Sequence, residues 1–292
     1  MWKRLKYRRP LLAAPILLCA LWGPAAGAED QRARGAYLAI AGGCVSCHTD
    51  YKQKTPEFAG GGALKTPFGA FYAPNITPDR KYGIGRWNLS DFKRAMREGI
   101  APDGSHYFPA FPYTAFTGIN DRDLSDLWSY FTSLAPVARP SRGHELKFPF
   151  AWRFPVTFWK MLNFRPGPLM PKPEKSPAWN RGAYLVTALA HCGECHTPRN
   201  RLGGLRRDRW MAGARDGPEG EPTPNITPHM KDGIGGWSDE DLKTYLTEGM
   251  EPNGDFAESL MADVIDRSTG KLKPSDIKAI TVYLRSLRPL GK

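Results

Sequence analysis

Apolar residues recur at three- and four-residue spacing, in the same order, in both halves of the chain. Leu127, Tyr130, Phe131 and Leu134 form one i, i+3, i+4, i+7 series, and Ile280, Tyr283, Leu284 and Leu287 form the other. Each gives one buried stripe on a helix, predicted over 123–134 and 275–287. Earlier in each half, Ser90-Asp91 and Ser238-Asp239-Glu240-Asp241 stand ahead of apolar-periodic runs. Short polar and acidic residues cap helix N-termini, which predicts helices over 92–98 and 242–248. Two further helices are predicted over 34–41 and 180–190, separated from the others by loops rich in Gly and Pro. No sustained alternation of apolar and polar positions supports a sheet, so the expected fold class is all-α.

The halves are copies. Arg34-Gly35-Ala36-Tyr37-Leu38 returns as Arg181-Gly182-Ala183-Tyr184-Leu185. Pro74-Asn75-Ile76-Thr77-Pro78 returns as Pro224-Asn225-Ile226-Thr227-Pro228, and Gly83-Ile84-Gly85 with Trp87 returns as Gly233-Ile234-Gly235 with Trp237. The spacing between copies drifts by a few residues. Two homologous domains with small loop differences are expected, at 29–135 and 179–292, rather than a short-period solenoid.

Cys44-Val45-Ser46-Cys47-His48 and Cys192-Gly193-Glu194-Cys195-His196 carry the chemistry. C-x-x-C-H is the covalent attachment signature of c-type haem. Two thiols three positions apart on one helical turn can each add to a porphyrin vinyl group, and the following histidine supplies the proximal nitrogen to iron. A bare C-x-x-C also fits a redox dithiol or half a zinc site. Two copies, each followed by His on matching flanks, favour two covalent haems held by Cys44, Cys47, His48, Cys192, Cys195 and His196.

Residues 1–28 read as a secretory leader. Lys3, Arg4, Lys6, Arg8 and Arg9 precede a short apolar run at 11–22, and Ala26-Gly27-Ala28 fits the small-residue cleavage rule. The run is short for a membrane span, which needs about 20 residues; an uncleaved anchor is the rival reading. Cys19 falls in this segment, so all four remaining cysteines lie in the two motifs and none is left for a structural disulfide. The formal net charge of +12 includes the five leader cations. A basic exported protein suits an acidic partner or an anionic membrane surface, or simply has a basic solvated surface. No compact basic and aromatic array points to nucleic acid.

Between the copies, residues 136–178 form a linker rich in Pro and aromatics. Phe148, Phe150, Trp152, Phe154, Phe158, Trp159 and Phe164 are too apolar for a free tether. They are expected to pack within the chain; an exposed patch would mark a docking surface instead. Asn75-Ile76-Thr77 and Asn225-Ile226-Thr227 match the glycosylation pattern, yet their repetition beside the motifs argues for structural loops. Pro74 and Pro224 are candidates to offer a carbonyl to the proximal histidines, which would fix the rings. Trp87, Trp237 and Arg199 are candidates to face haem propionates.

The sixth ligands are read by aligning the halves on Asp103-Gly104 and Asn253-Gly254. In the second copy Met261 follows, in a polar stretch ahead of the last helix; thioether sulfur pairs well with haem iron. Met250 and Met230 are its rivals. In the first copy the matching position is Phe111, which cannot ligate. Three answers remain there: His106 in the same loop, Met96 in the preceding helix, or an open site. A His106 ligand would make this haem bis-histidine and lower in potential than the second.

Trp179 to Leu185 (WNRGAYL), Cys192 to Asn200 (CGECHTPRN), both PNITP loops, both GIG-x-W stretches and Pro109 to Thr117 (PAFPYTAFT) resemble the cytochrome c subunits of periplasmic, membrane-associated dehydrogenases. These serve alcohol, gluconate and fructose dehydrogenases and molybdenum hydroxylases, and the resemblance covers nearly the whole chain. It implies two tandem class I cytochrome c-like domains in which Gly35 with Tyr130, and Gly182 with Tyr283, mark the crossing of first and last helices. It implies a dihaem electron carrier of the periplasm rather than an enzyme, taking electrons from a dehydrogenase and passing them to a cytochrome or terminal oxidase. Peripheral membrane association is a further option. Many such subunits add a third haem and a C-terminal membrane helix, neither of which follows the second copy here. The alternative function is a dihaem peroxidase with an open first site.

Overall fold

The computed structural model describes Met1, Trp2 and residues 26–291. The apolar core of the leader lies outside the described residues. Helix α1 (Ala26–Ala41) leads into the short α2 (Cys44–His48). A hairpin follows, β1 (Ala63–Thr66) and β2 (Gly69–Tyr72). Helices α3 (Leu89–Glu98), α4 (Tyr113–Phe116) and α5 (Asp121–Ser133) complete the first half. The connection contributes β3 (Glu145–Leu146) and α6 (Phe154–Asn163). The second half repeats the plan with α7 (Pro177–Tyr184), α8 (Gly193–His196), α9 (Asp239–Glu248), α10 (Ser259–Arg267) and α11 (Pro274–Arg285).

Ser238 caps its helix as expected, but the first helix begins at Leu89, so its cap is Asn88 and Ser90-Asp91 lie in the first turn. Asn88 and Ser238 each accept the N–H of the residue three positions on, and Asp91 and Asp241 each accept the cap's own N–H. These reciprocal capping boxes satisfy two orphan donors apiece. Gly99 and Gly249 close both helices in the left-handed conformation.

The first and last helices of each half cross at glycine. A Cβ on Gly35 would collide with the Asp126 carbonyl and approach the Tyr130 Cβ. On Gly182 it would collide with the Ala279 carbonyl and approach the Tyr283 Cβ. Beside each crossing lies an ion pair that no local pattern announced. Arg34 Nε meets Asp126 Oδ2 at 2.7 Å, and Arg181 grips Asp276 at 2.9 and 2.7 Å through Nε and Nη2. A bidentate guanidinium–carboxylate pair fixes angle as well as distance, so it sets the helix crossing. The two halves then join through the same carboxylate: Tyr37 of the first half donates to Asp276 at 2.7 Å. Tyr184, the copy of Tyr37, donates to Asp123 of the first half at 2.6 Å.

The all-α expectation needs correction. β1, β2 and β3 form an antiparallel sheet in that order. Strands of four, four and two residues are too short to show a period of two. Gly69 is required at the turn, since its φ is 126° and a Cβ there would strike the Glu145 carbonyl.

The linker aromatics divide: Phe150, Trp152, Phe158 and Trp159 line a cavity that also carries Cys44, Cys47 and His48, while Phe148 and Phe154 face outward. The connection is pinned to both halves: Lys160 Nζ donates to the Glu98 and Gly99 carbonyls at the end of α3, and Trp159 Nε1 donates to the Leu202 carbonyl. Yet Phe154 is 64% exposed, Phe158 63%, Met161 76% and Leu162 74%. Their spacing lays them along one face of α6. Polar anchors hold this segment in place together with Phe164, whose ring packs on Tyr113 with centroids 5.1 Å apart.

Acid should test the carboxylate at the crossing. Burial raises the Asp276 pKa, but the hydrogen bonds from Arg181 and Tyr37 outweigh it and hold the group below the ordinary carboxylate value. A carboxyl depressed in the folded state stabilises the fold above the ordinary carboxylate range, and this is lost as pH falls through the folded value. Asp276→Ala is expected to cost about 3 kcal/mol at neutral pH, since it leaves Arg181 without its partner. Thermal melts from pH 7 to pH 2 should show wild type and variant converging below pH 4.

Candidate haem sites

Each C-x-x-C-H motif forms one tight turn. In α8 the amides of Cys195 and His196 both donate to the Cys192 carbonyl, which brings the two thiols to one side. The four motif thiols form no disulfide. Burial, with the neighbouring thiol second, pushes Cys44 and Cys192 up to about 12, so both are protonated at neutral pH. A redox dithiol needs a depressed thiolate, so that reading loses ground. Among the described residues no three His, Cys, Asp or Glu side chains gather as a metal-holding group, which leaves the half-zinc-site reading without further ligands.

Both motif histidines are set by the loop that repeats with them. His48 Nδ1 donates to the Pro74 carbonyl at 2.7 Å, and His196 Nδ1 donates to the Pro224 carbonyl at 2.8 Å. A carbonyl can only accept, so Nδ1 carries the proton and Nε2 keeps a free lone pair. This is the orientation a metal-binding imidazole requires.

The asparagine after each proline holds the carbonyl in place. Asn75 is 2% exposed; it donates to the Val137 and Arg139 carbonyls and accepts from the Thr77 amide and hydroxyl. Asn225 donates to the Leu290 carbonyl and accepts from the Thr227 amide and hydroxyl. The loops are structural, and Asn75 is closed to a glycan. Thr77 and Thr227 in turn accept the Ile84 and Ile234 amides through their carbonyls, which explains why the GIG stretches travel with the PNITP loops.

A continuous cavity of 2720 Å³ has Cys44, Cys47, His48, Trp87, Met96, Phe111, His191 and Cys195 on its wall. At the first motif, unpaired thiols, an oriented imidazole and an apolar space beside them fit a covalently held porphyrin; of the second motif Cys195 reaches this wall, and Cys192 and His196 do not. Arg199 also faces the cavity, but its guanidinium is engaged by the Glu194 carboxylate and backbone carbonyl and by the Gly203 carbonyl. Trp237 instead packs on Tyr245, with ring centroids 5.3 Å apart.

The sixth-ligand candidates fall in different places. Met261 lies in the first turn of α10 rather than in a loop, half-buried against the core. Its rivals Met230 and Met250 are 75% and 40% exposed. In the first half, Phe111 stands on the cavity wall within an aromatic cluster, 5.5 Å from Tyr107 and 5.8 Å from Phe116. Met96 is buried in α3 and reaches the same wall. His106 is off that wall. It bridges Ile100 through the backbone, and its carbonyl accepts from Arg153.

Sequence reasoning missed His191, the residue just before the second motif. Its ring packs on Phe116 of the first half at 5.3 Å, and Nδ1 donates to the Leu189 carbonyl at 3.2 Å. Close by, Thr114 of the first half donates to Glu194 at 2.5 Å. Thus the segment after Phe111 rests directly on the second motif.

Comparison with known proteins agrees with this geometry. No protein-family model matches the chain. It is 41% identical to a dihaem cytochrome c-type protein of Cereibacter sphaeroides, over 95% of this chain and 90% of that one. It is 39% identical to the fructose dehydrogenase cytochrome subunit of Gluconobacter japonicus, over 97% of this chain and 60% of that one. It is 37% identical to the gluconate 2-dehydrogenase cytochrome c subunit of Pantoea cypripedii, over 90% of this chain and 62% of that one. The chain therefore spans about three-fifths of the length of these dehydrogenase subunits, and nearly all of the dihaem protein. With its duplicated thiol pairs, its two oriented imidazoles and this likeness along almost its full length, the chain belongs to the dihaem cytochrome c family.

Proposed function

We propose that the protein is an exported electron carrier with two covalently bound haem c groups, one in each of two cytochrome c domains at 29–135 and 179–292. It takes single electrons from a periplasmic dehydrogenase and hands them to a downstream cytochrome or oxidase. The observation that carries this reading is the duplication of one device: a thiol pair without a disulfide, followed by a histidine whose Nδ1 is held by a proline carbonyl. Cys44, Cys47 and His48 would hold the first haem, and Cys192, Cys195 and His196 the second. The iron supplies one-electron redox chemistry. The chain's own residues orient the imidazoles, enclose the porphyrins and exclude water. Met261 is the sixth ligand assigned to the second site, where it is better buried than Met230 and Met250.

The exposed face of α6 suits a partner. Phe154 and Met161, exposed and off the cavity wall, make an apolar patch of the kind that marks a protein contact. The related cytochromes that are subunits of dehydrogenases support such a partner here. Among the described residues no helix is long and apolar enough to cross a membrane.

Intact mass of the mature protein should exceed the signal-free polypeptide by two haem units. A single adduct after full maturation would contradict the reading. The double variant Cys192→Ala, Cys195→Ala should keep one haem. Met261→Ala should abolish the near-infrared sulfur-to-iron charge-transfer band of the second haem; an unchanged band would reject the assignment. Phe154→Asp with Met161→Asp should slow reduction by the cognate dehydrogenase about tenfold or more, the effect of removing an interface hot spot. The haem spectra should stay the same.

A further inference from the structure

We infer that His191, from the second half, is the sixth ligand to the iron that His48 of the first half holds. The inference rests on the dihaem reading above and assigns the position that Phe111 leaves without a donor atom.

The second half departs from the first at this residue. From Leu38 to Cys44 the chain advances six positions, and from Leu185 to Cys192 it advances seven. α1 runs unbroken to Ala41, whereas the matching stretch of the second half is a π-helical turn at Leu185–Leu189. One inserted residue inside a helix produces such a turn, and these turns concentrate at functional sites. The position that precedes each motif shows the same contrast. In the first half it is Gly43, with φ 61°; in the second it is His191, with φ 44°. Glycine accepts the left-handed region freely, and histidine does so under strain. A strained side chain kept where glycine would serve points to a use for that side chain.

The ring is prepared for a metal as the two proximal histidines are. Its Nδ1 donates to the Leu189 carbonyl, which leaves the Nε2 lone pair free. The His191 ring lies on the cavity wall that also carries Cys44, His48 and Phe111. Its immediate neighbour is Phe116, which in turn packs on Phe111. The backbone is close as well: a Cβ on Gly42, beside the first motif, would touch the Leu189 side chain. Binding would use the Nε2 lone pair alone, with the Nδ1 proton kept on the Leu189 carbonyl and nothing oxidised or released.

The other donors fit less well. His144 shares the wall, but its Nδ1 accepts from the Tyr72 amide, so the proton sits on Nε2 where a metal would bind. Met96 matches Leu246 of the second half, and both are buried on the same helix face, which accounts for Met96 as packing. His106 is half-buried but off the wall that carries Cys44 and His48.

The test uses the full-length protein with both haems confirmed by mass, compared with His191→Gly, Met96→Leu and His106→Ala. Electron paramagnetic resonance and near-infrared spectra of the wild type should show one bis-imidazole haem and one imidazole–methionine haem. Carbon monoxide should not bind the reduced wild type. In His191→Gly, which matches Gly43 and relieves the backbone strain, the bis-imidazole signal should vanish and one carbon monoxide should bind per protein. Added imidazole should restore the signal, a rescue that loss of a merely structural residue would not show. The inference is overturned if His191→Gly leaves the spectra and carbon monoxide binding unchanged, or if His106→Ala removes the bis-imidazole signal. Two methionine-type haems, one lost in Met96→Leu, would also overturn it, as would a wild type that already binds carbon monoxide. A protein with one haem would defeat the dihaem reading first and this assignment with it.

Discussion

Asp276 joins the two levels of the structure. Its carboxylate closes the α7–α11 crossing through Arg181 and reaches the other half through the Tyr37 hydroxyl. Breaking one partner of a buried ion pair leaves an uncompensated charge, so this site tolerates little change. The first half has the same arginine and aspartate in Arg34 and Asp126, with Tyr184 returning the contact across the interface to Asp123. The helix crossings place the motif turns, and the tyrosines hold the two motifs side by side. A two-iron carrier needs both: each site must be rigid, and the sites must keep a fixed separation.

The interface does more than bring the halves together. The segment that follows Phe111 in the first half lies on the second motif, through Thr114 with Glu194 and Phe116 with His191. In return, the end of α10 reaches the first half, where Arg267 stacks on Tyr51 at 3.9 Å and the Ser268 hydroxyl donates to the Ala41 carbonyl. Each half thus braces the other near its attachment turn.

Much of this was legible in the sequence because it was local or repeated. The Ser238 cap lies within three residues of its partner and was read correctly, whereas the first cap was read at Ser90-Asp91 and is Asn88. The proximal carbonyls of Pro74 and Pro224 could be named because both loops return with the motifs. Gly35 and Gly182 could be named because a crossing needs a position without a side chain. The Arg34–Asp126 and Arg181–Asp276 pairs were not legible, since their members lie more than ninety residues apart. The sheet was hidden by strands too short to alternate. The linker aromatics were read as packing within the chain, and composition does not say which of them line a cavity and which, like Phe154, face outward. Met261 was placed in a loop because the stretch around it is polar, whereas the chain turns there into α10. His191 carried a signal that was available, the single extra residue between Leu185 and Cys192, but its meaning required the π-helical turn to be seen.

The central claim is that the chain carries two one-electron centres in one rigid unit. Spectroelectrochemical titration of the purified protein tests it most directly. The account predicts two one-electron waves of equal amplitude, both fully reversible and both accompanied by haem absorbance changes. A single wave worth one electron, or a two-electron wave without haem absorbance, would contradict it.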